Sequence, residues 1–351
     1  EMLGETHVIL PAGVHLYGGF RGSETSRDQR NWVNERTYVS GGNARRCVFI
    51  TGDGEATLDG FILQQGRAER GGGLYNDGSQ LTLANCRFER NTADLHGGGL
   101  YISTAAITTF SNVVSWDNTA AFAGGGLYSD AKSLSLERCN FSNNDAAIGG
   151  GIYEADGKGQ FLQCTLTNNT ASDAGGGYAY EGAETTEFTN CVISGNSAGT
   201  LGGGIFHDGY RVSLTNTTIA RNSAPEGGGF YGGQAFPLLL NSIVYSNGAS
   251  NLHEAFDYPF NMLASCIEHE EVDAIQGIIN SSPQFINPAR QGFGLGAASP
   301  CLDTGLADWA SVTIYLLGTA RPQRAVIDMG ALEMIVPGAS PDTDSDGMPD
   351  V

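Results

Sequence analysis

Lysine is nearly missing from this chain. Of 351 residues, 18 are basic and 38 acidic, giving a net charge of −20 at pH 7. Only Lys132 and Lys158 among the bases are lysines. Nucleic acid and anionic membrane surfaces both demand clustered bases, so neither is expected as a partner. No run of 18 apolar residues occurs, which excludes a membrane-spanning helix. The chain opens at Glu1 with neither a charged n-region nor an apolar h-region, so any signal peptide is expected to have been removed or left out. No CxxC pair and no Cys/His spacing points to zinc.

Glycine, in contrast, is abundant and ordered: 51 residues, with triplets starting at Gly71, Gly97, Gly124, Gly149, Gly175, Gly202 and Gly227. The steps of 26, 27, 25, 26, 27 and 25 residues mark a stacked-repeat architecture. An asparagine precedes each next triplet by five or six residues, at Asn91, Asn118, Asn144, Asn169, Asn196 and Asn222. Three residues before it stand Phe88, Phe141, Leu166, Ile193 and Ile219. Five before it come Cys86, Val113, Cys139, Cys164, Cys191 and Thr217, and eight before it Leu83, Phe110, Leu136, Phe161, Phe188 and Leu214. Short alternating runs broken by Gly, Asn and Asp are strand-and-turn chemistry. A flexible glycine-rich linker would not keep apolar residues in register. The expected fold is all-β: one right-handed parallel β-helix of three-strand coils, 25–27 residues each. Glycine suits a bend that needs positive φ or has no room for a Cβ. The asparagines are expected at another bend, tolerating the left-handed region and passing amide hydrogen bonds between coils.

Residues 1–70 read as an N-terminal cap with irregular first coils, and 71–250 as the regular repeats. Residues 251–336 read as irregular C-terminal coils and a cap, and 337–351 as a linker into the start of a calcium-binding repeat. Val8–Phe20 suggests two strands around a turn, and Ser23–Thr37 a polar loop crossing the end of the stack. Of the seven cysteines, Cys86, Cys139, Cys164 and Cys191 share the inward column. Stacked side chains roughly 4.8 Å apart suit free thiols acting as small hydrophobes better than a relaxed disulfide. Cys47, Cys266 and Cys301 lie outside that column, and their pairing stays open.

The motifs FERN at 88–91 and FSNN at 141–144, with the GG-x-I-like element, resemble the repeats of chlamydial-type polymorphic outer-membrane proteins. LYGGFRGSETSRDQR, SPCLDTG and RAVIDMGALE resemble flanks of a bacterial secreted β-helix group that carries a cell-surface anchor, the choice-of-anchor class. DTDSDGMPD, Asp342 to Asp350, is similar to a thrombospondin type 3 calcium repeat. The resemblance implies a secreted or surface protein of the pectin-lyase-like superfamily, which holds lyases, hydrolases, adhesins and proteins without assigned roles.

Three columns could carry chemistry. Tyr75, Tyr101, Tyr128, Tyr153, Phe206 and Tyr231, interrupted by Ala179, follow inward Leu or Ile residues, so alternation points their rings outward. Such rings could receive a sugar face, or form a structural stack. Asp77, Asp130, Glu181 and Asp208, with Glu154 and Asp156 beside them, form an acidic stripe that could hold calcium. Asp-Gly pairs at 77, 156 and 208 equally spell turns, and Lys132, Lys158 and Arg211 follow as partial neutralisers. A lyase- or polygalacturonase-like set of carboxylates is not found. His96-Gly97 is a faint match, Glu89, Trp116, Ser142, Thr167 and Ser194 on the third strand make no acid/base pair, and His207-Asp208 beside Tyr210 and Arg211 reads as a solvated turn. The C-terminal run is more specific. Asp342, Asp344 and Asp346 take loop positions one, three and five, Gly347 the sharp turn, Met348 the backbone carbonyl and Asp350 position nine. Ca²⁺ is the cofactor this implies. The reading is an extracellular or cell-surface β-solenoid scaffold, adhesin-like, meeting a polysaccharide, a neighbouring cell or copies of itself. The alternative is a polysaccharide lyase or glycoside hydrolase, with a cleft near Asn251–Asp273 as the discriminator.

Overall fold

A computed structural model describes residues 6–78, 80–103, 107–248, 250–254, 261–268, 277–288, 292–306, 316 and 326–334. Three parallel sheets of ten strands run between residues 6 and 267, and one of six runs beside them between residues 67 and 198. The first extends from Thr6–Pro11 to Leu252–Glu254, the second from His15–Tyr17 to Asn261–Leu263, and the third from Thr37–Ser40 to Cys266–Ile267. The fourth holds Arg67–Arg70 through Ser197–Ala198. Each strand pairs with its equivalent one coil away, as Leu100 with Leu127 and Phe110 with Leu136. Helical residues among the described ones are confined to the 3-10 turn Arg27–Gln29 and to Pro288, and no helix there is long and apolar enough to cross a membrane.

The expectation of three strands per coil is too low for the body. Extended residues continue past the asparagine, so Thr92–His96 and its equivalents make the fourth ladder before the glycines turn the chain. Each triplet is required twice over. Gly97 sits at φ +67°, while a Cβ on Gly98 would stand 2.4 Å from the carbonyl oxygen of Thr119 and one on Gly99 2.6 Å from that of Gly126.

The asparagine column forms the expected coil-to-coil ladder. Nδ2 of Asn118 donates to Oδ1 of Asn144 at 3.0 Å, and Asn144, Asn169, Asn196, Asn222 and Asn247 continue the chain at 2.9–3.0 Å, ending on Asn251. Its backbone differs from expectation: the left-handed residue is the one just before it, Arg90, Asp117, Asn143, Asn168 and Arg221 among them. A second left-handed column precedes the third sheet at Asn85, Asn112, Arg138, Gln163, Asn190, Asn216 and Asn241. The ladder asparagines are buried, so each amide is spent on backbone and neighbour instead of on an αL turn.

Inside, the apolar columns fill the tube. Phe88, Phe110, Phe141, Phe161, Phe188, Leu214 and Ile219 are all buried in one continuous cluster with Cys86, Cys139, Cys164 and Cys191. All seven cysteines are free and buried. Ladder thiols donate to backbone carbonyls, Cys86 to Leu58 at 3.3 Å and Cys191 to Phe161 at 3.4 Å. Val8–Phe20 supplies the strands Thr6–Pro11 and His15–Tyr17 of the first rung. The following loop is pinned to the stack by a largely buried Arg30–Asp59 ion pair, with Arg30 over the rings of Tyr17 and Trp32.

The glycine triplets stop after Gly227, but the sheets gain another rung from Leu252–Glu254, Asn261–Leu263 and Cys266–Ile267. Beyond it the chain turns back along the outer face of the third sheet. Phe293 and Ala331 bury Val192 and Ala220, and the Ala331 amide donates to Thr218 Oγ1 at 3.0 Å.

Candidate functional site

The outward rings do line up, and they use their faces on one another. Centroids lie 4.9 Å apart for Tyr75–Tyr101, 4.8 Å for Tyr101–Tyr128 and 5.2 Å for Tyr128–Tyr153, with interplanar angles of 20°, 8° and 20°. Phe49 extends the stack at one end, and Arg46 lies 5.1 Å from the Tyr75 ring centre. Arg46 is itself buried, donating to the carbonyls of Arg70 and Gly71. Side rings and cations seal the flank: His96 sits 4.8 Å from Tyr128, and Arg70 lies over Tyr101. Tyr75 and Tyr101 are only 7% and 8% exposed, so hydroxyls and ring edges are what solvent meets. Burial pushes the Tyr128 phenol up to about 12 and lowers His96. Ala179 breaks the column, and Ile148, Tyr153, Leu201 and Phe206 pack around it. Past the break, Phe206, Tyr231 and His253 stack again at 5.7 and 5.1 Å.

The acidic stripe divides. Glu181 is exposed and accepts from the Tyr153 hydroxyl, and Lys158 pairs with Glu187 at 3.3 Å, one coil on, instead of with Asp156. Glu154 is not on the surface at all. Two residues beyond inward Ile152, it points into the tube, where Tyr178 Oη donates to its Oε2 at 2.7 Å and also meets Thr186 Oγ1 at 3.0 Å. Gly159 makes the space: a Cβ there would stand 2.6 Å from the carboxylate. Burial raises Glu154 to about 8, with Asp156 adding to the rise and the Tyr178 hydrogen bond opposing it.

His207 corrects the solvated-turn reading in the same way, being the inward residue of Ile205–His207 and fully buried. Tyr180 stacks on it at 4.8 Å, and burial pushes its pKa down to about 3. Glu154 Oε1 and His207 Nε2 have no hydrogen-bond partner among the described residues. Strand parity alone could have found this pair, since each lies two residues after an inward Ile.

On the third sheet, Thr167 and Ser194 are buried, and Trp116 faces Arg90. Where the returning chain crosses this sheet it leaves a groove of about 460 Å³, lined by Arg221, Tyr245, Ser282, Gln284 and Phe285 among others. The Arg221 side chain has no ion pair, hydrogen bond or ring contact among the described residues. No sequence signal announced this groove, because one wall comes from the repeats, at Ala220, Arg221, Tyr245 and Ser246, and the other from the non-repeating stretch Ser282–Pro288. Among the described residues no three His, Cys, Asp or Glu side chains group for a metal. Asp342, Asp344, Asp346, Met348 and Asp350 lie outside the described residues, as does most of the acidic run through Asp273.

A profile described as "Right handed beta helix region" matches residues 20–165 and 99–267. A solved structure titled "Crystal structure of pectate lyase Pel9A" is similar over 94% of this chain and 86% of that one, at 15% identity and a TM-score of 0.47. No curated protein matches.

Proposed function

The chain belongs to the right-handed β-helix family, and from that premise we propose that it is an extracellular or cell-surface scaffold, adhesin-like, that presents its tyrosine edge to a polysaccharide. The supporting observation is the unbroken stack from Tyr75 to Tyr153. It stiffens one face and sets out one phenol per coil from Tyr75 onward, a row suited to a linear polymer that repeats its hydroxyls. Flat sugar stacking is not the mode, because the ring faces are taken.

The test is a glycan array with the wild type and the triple variant Tyr101→Phe, Tyr128→Phe, Tyr153→Phe. The rings stay, so the melting temperature should hold within a few degrees while glycan binding falls. Unchanged binding would remove the tyrosine edge from the reading. One observation favours the alternative of a polysaccharide lyase or glycoside hydrolase: Arg221, unpaired among the described residues, in the groove beside Tyr245 and Phe285. Turnover of any array-positive polysaccharide, abolished by Arg221→Ala, would replace the scaffold by that enzyme.

Calcium enters through Asp342, Asp344, Asp346, Met348 and Asp350, whose spacing supports an EF-hand-like loop. Titration calorimetry should show calcium heat for the wild type and little for Asp344→Ala. Negligible heat in both would end the calcium reading.

A further inference from the structure

Cys266 and Cys301 are set apart from the other thiols by where they point. In the third sheet Ile267 pairs with inward Val244 and joins the main core. Cys266, its neighbour, therefore faces out, paired with Ile243. It is nevertheless fully buried, because the returning chain covers it in a separate cluster of Ile243, Ala264, Cys266, Leu295, Cys301 and Met329. The two thiols are buried together there, within interaction range of one another, one from the last rung and one from the covering segment.

Backbone bonds fix both sides. The Met329 amide donates to the Cys301 carbonyl at 3.0 Å, the Cys301 amide to Ser299 Oγ at 3.2 Å, and the Cys266 thiol also reaches the Ser281 carbonyl at 3.3 Å. The ladder thiols differ in kind. Cys139, Cys164 and Cys191 sit on successive parallel rungs with side chains side by side, a spacing wider than a relaxed disulfide prefers. Cys266 and Cys301 come instead from two layers that face each other, the last rung and the segment covering it.

We propose that Cys266 and Cys301 are a disulfide site that ties the C-terminal segment to the last rung of the solenoid. Among the described residues that segment is held by single hydrogen bonds at scattered points: Asn241 exchanges two with Leu306, Gly330 donates to the Asn241 carbonyl, Ala331 to Thr218, and Ile279 exchanges two with the strand end at Ser265 and Ile267. The oxidant is a small-molecule or protein disulfide. The Cys301 thiolate attacks one sulfur of that reagent and expels a thiolate. Cys266 then attacks the Cys301 sulfur of the mixed disulfide and expels the second. Two protein thiols lose two electrons and two protons, and the reagent leaves as two thiols. Both sulfurs are buried, so exchange occurs while the segment is lifted, during folding or transient opening, and the closed bond is then shielded.

The extracellular reading matters here only as the source of an oxidant, and the test supplies one. Protein refolded in a glutathione redox buffer should fall from seven titratable thiols to five. Peptide mapping without reductant should join the Cys266 peptide to the Cys301 peptide. Protease cleavage within residues 277–334 should slow about tenfold or more on oxidation, and Cys301→Ser should abolish that difference while Cys86→Ser keeps it. Seven remaining thiols, or a bridge within Cys139, Cys164 and Cys191, would overturn the proposal. The mapping uses wild type, so a variant that misfolds does not weaken it.

Discussion

Glu154 and His207 are buried in the same tube and titrate in opposite senses. Glu154 is raised from 4.5 to about 8, so the folded state holds its proton more tightly than the unfolded chain does. Its stability is fully present below 4.5 and is lost as pH rises toward about 8. His207 is lowered from 6.5 to about 3, so stability is gained as pH rises between those values. The two slopes, each at most about 1.4 kcal/mol per pH unit, offset one another between 4.5 and 6.5. Urea midpoints should therefore show a plateau there and a fall from about 6.5 to 8. Glu154→Gln can still accept from Tyr178 and should flatten the falling limb. A limb of unchanged slope in that variant would mean that another group sets it.

At the scale of the element, the asparagine ladder does what a side-chain column in a helix cannot. Asn169 Nδ2 donates to the Phe141 carbonyl at 2.9 Å and to Asn196 at 3.0 Å, while its Oδ1 accepts from both the amide and the side chain of Asn144. Removing it leaves several buried groups unpaired, each costing roughly 1–3 kcal/mol. Asn169→Ala should lower unfolding free energy by about 3 kcal/mol or more. Asn251→Ala, at the half-exposed end of the ladder, should cost clearly less. Equal losses in urea denaturation would argue that packing, not the ladder, holds the bend. The glycine column obeys a stricter rule, because the atoms facing Gly98 and Gly99 are backbone carbonyls that cannot rotate away.

For the whole molecule, any stack of parallel strands ends in open edges. The N-terminal rung is guarded by the loop that Arg30 fixes to Asp59, while residues 282–288 and 292–306 lie along the side of the third sheet near the other end. Copies should therefore associate end to end or edge to edge as concentration rises, a proposal that light scattering checks directly. A monodisperse monomer at high concentration would withdraw it. Net charge of −20 opposes such contact at low ionic strength, so added salt should promote it.

The parallel solenoid, its period, its inward columns and the asparagine ladder were written in the chain, because each coil repeats one local solution with its nearest neighbours only. The ring column was equally legible, since alternation fixes the side on which Tyr75, Tyr101, Tyr128 and Tyr153 stand. Whether those rings offered faces or edges was not, because that depends on rotamers packed across four coils and on Arg46, Arg70 and His96 beside them. The burial of Glu154 followed from parity, yet its partner Tyr178 comes from the next coil and its space from Gly159. The Arg221 groove and the meeting of Cys266 with Cys301 were decided by tertiary structure alone. Both arise where a chain without repeats folds back on a chain that repeats, and no period connects the two.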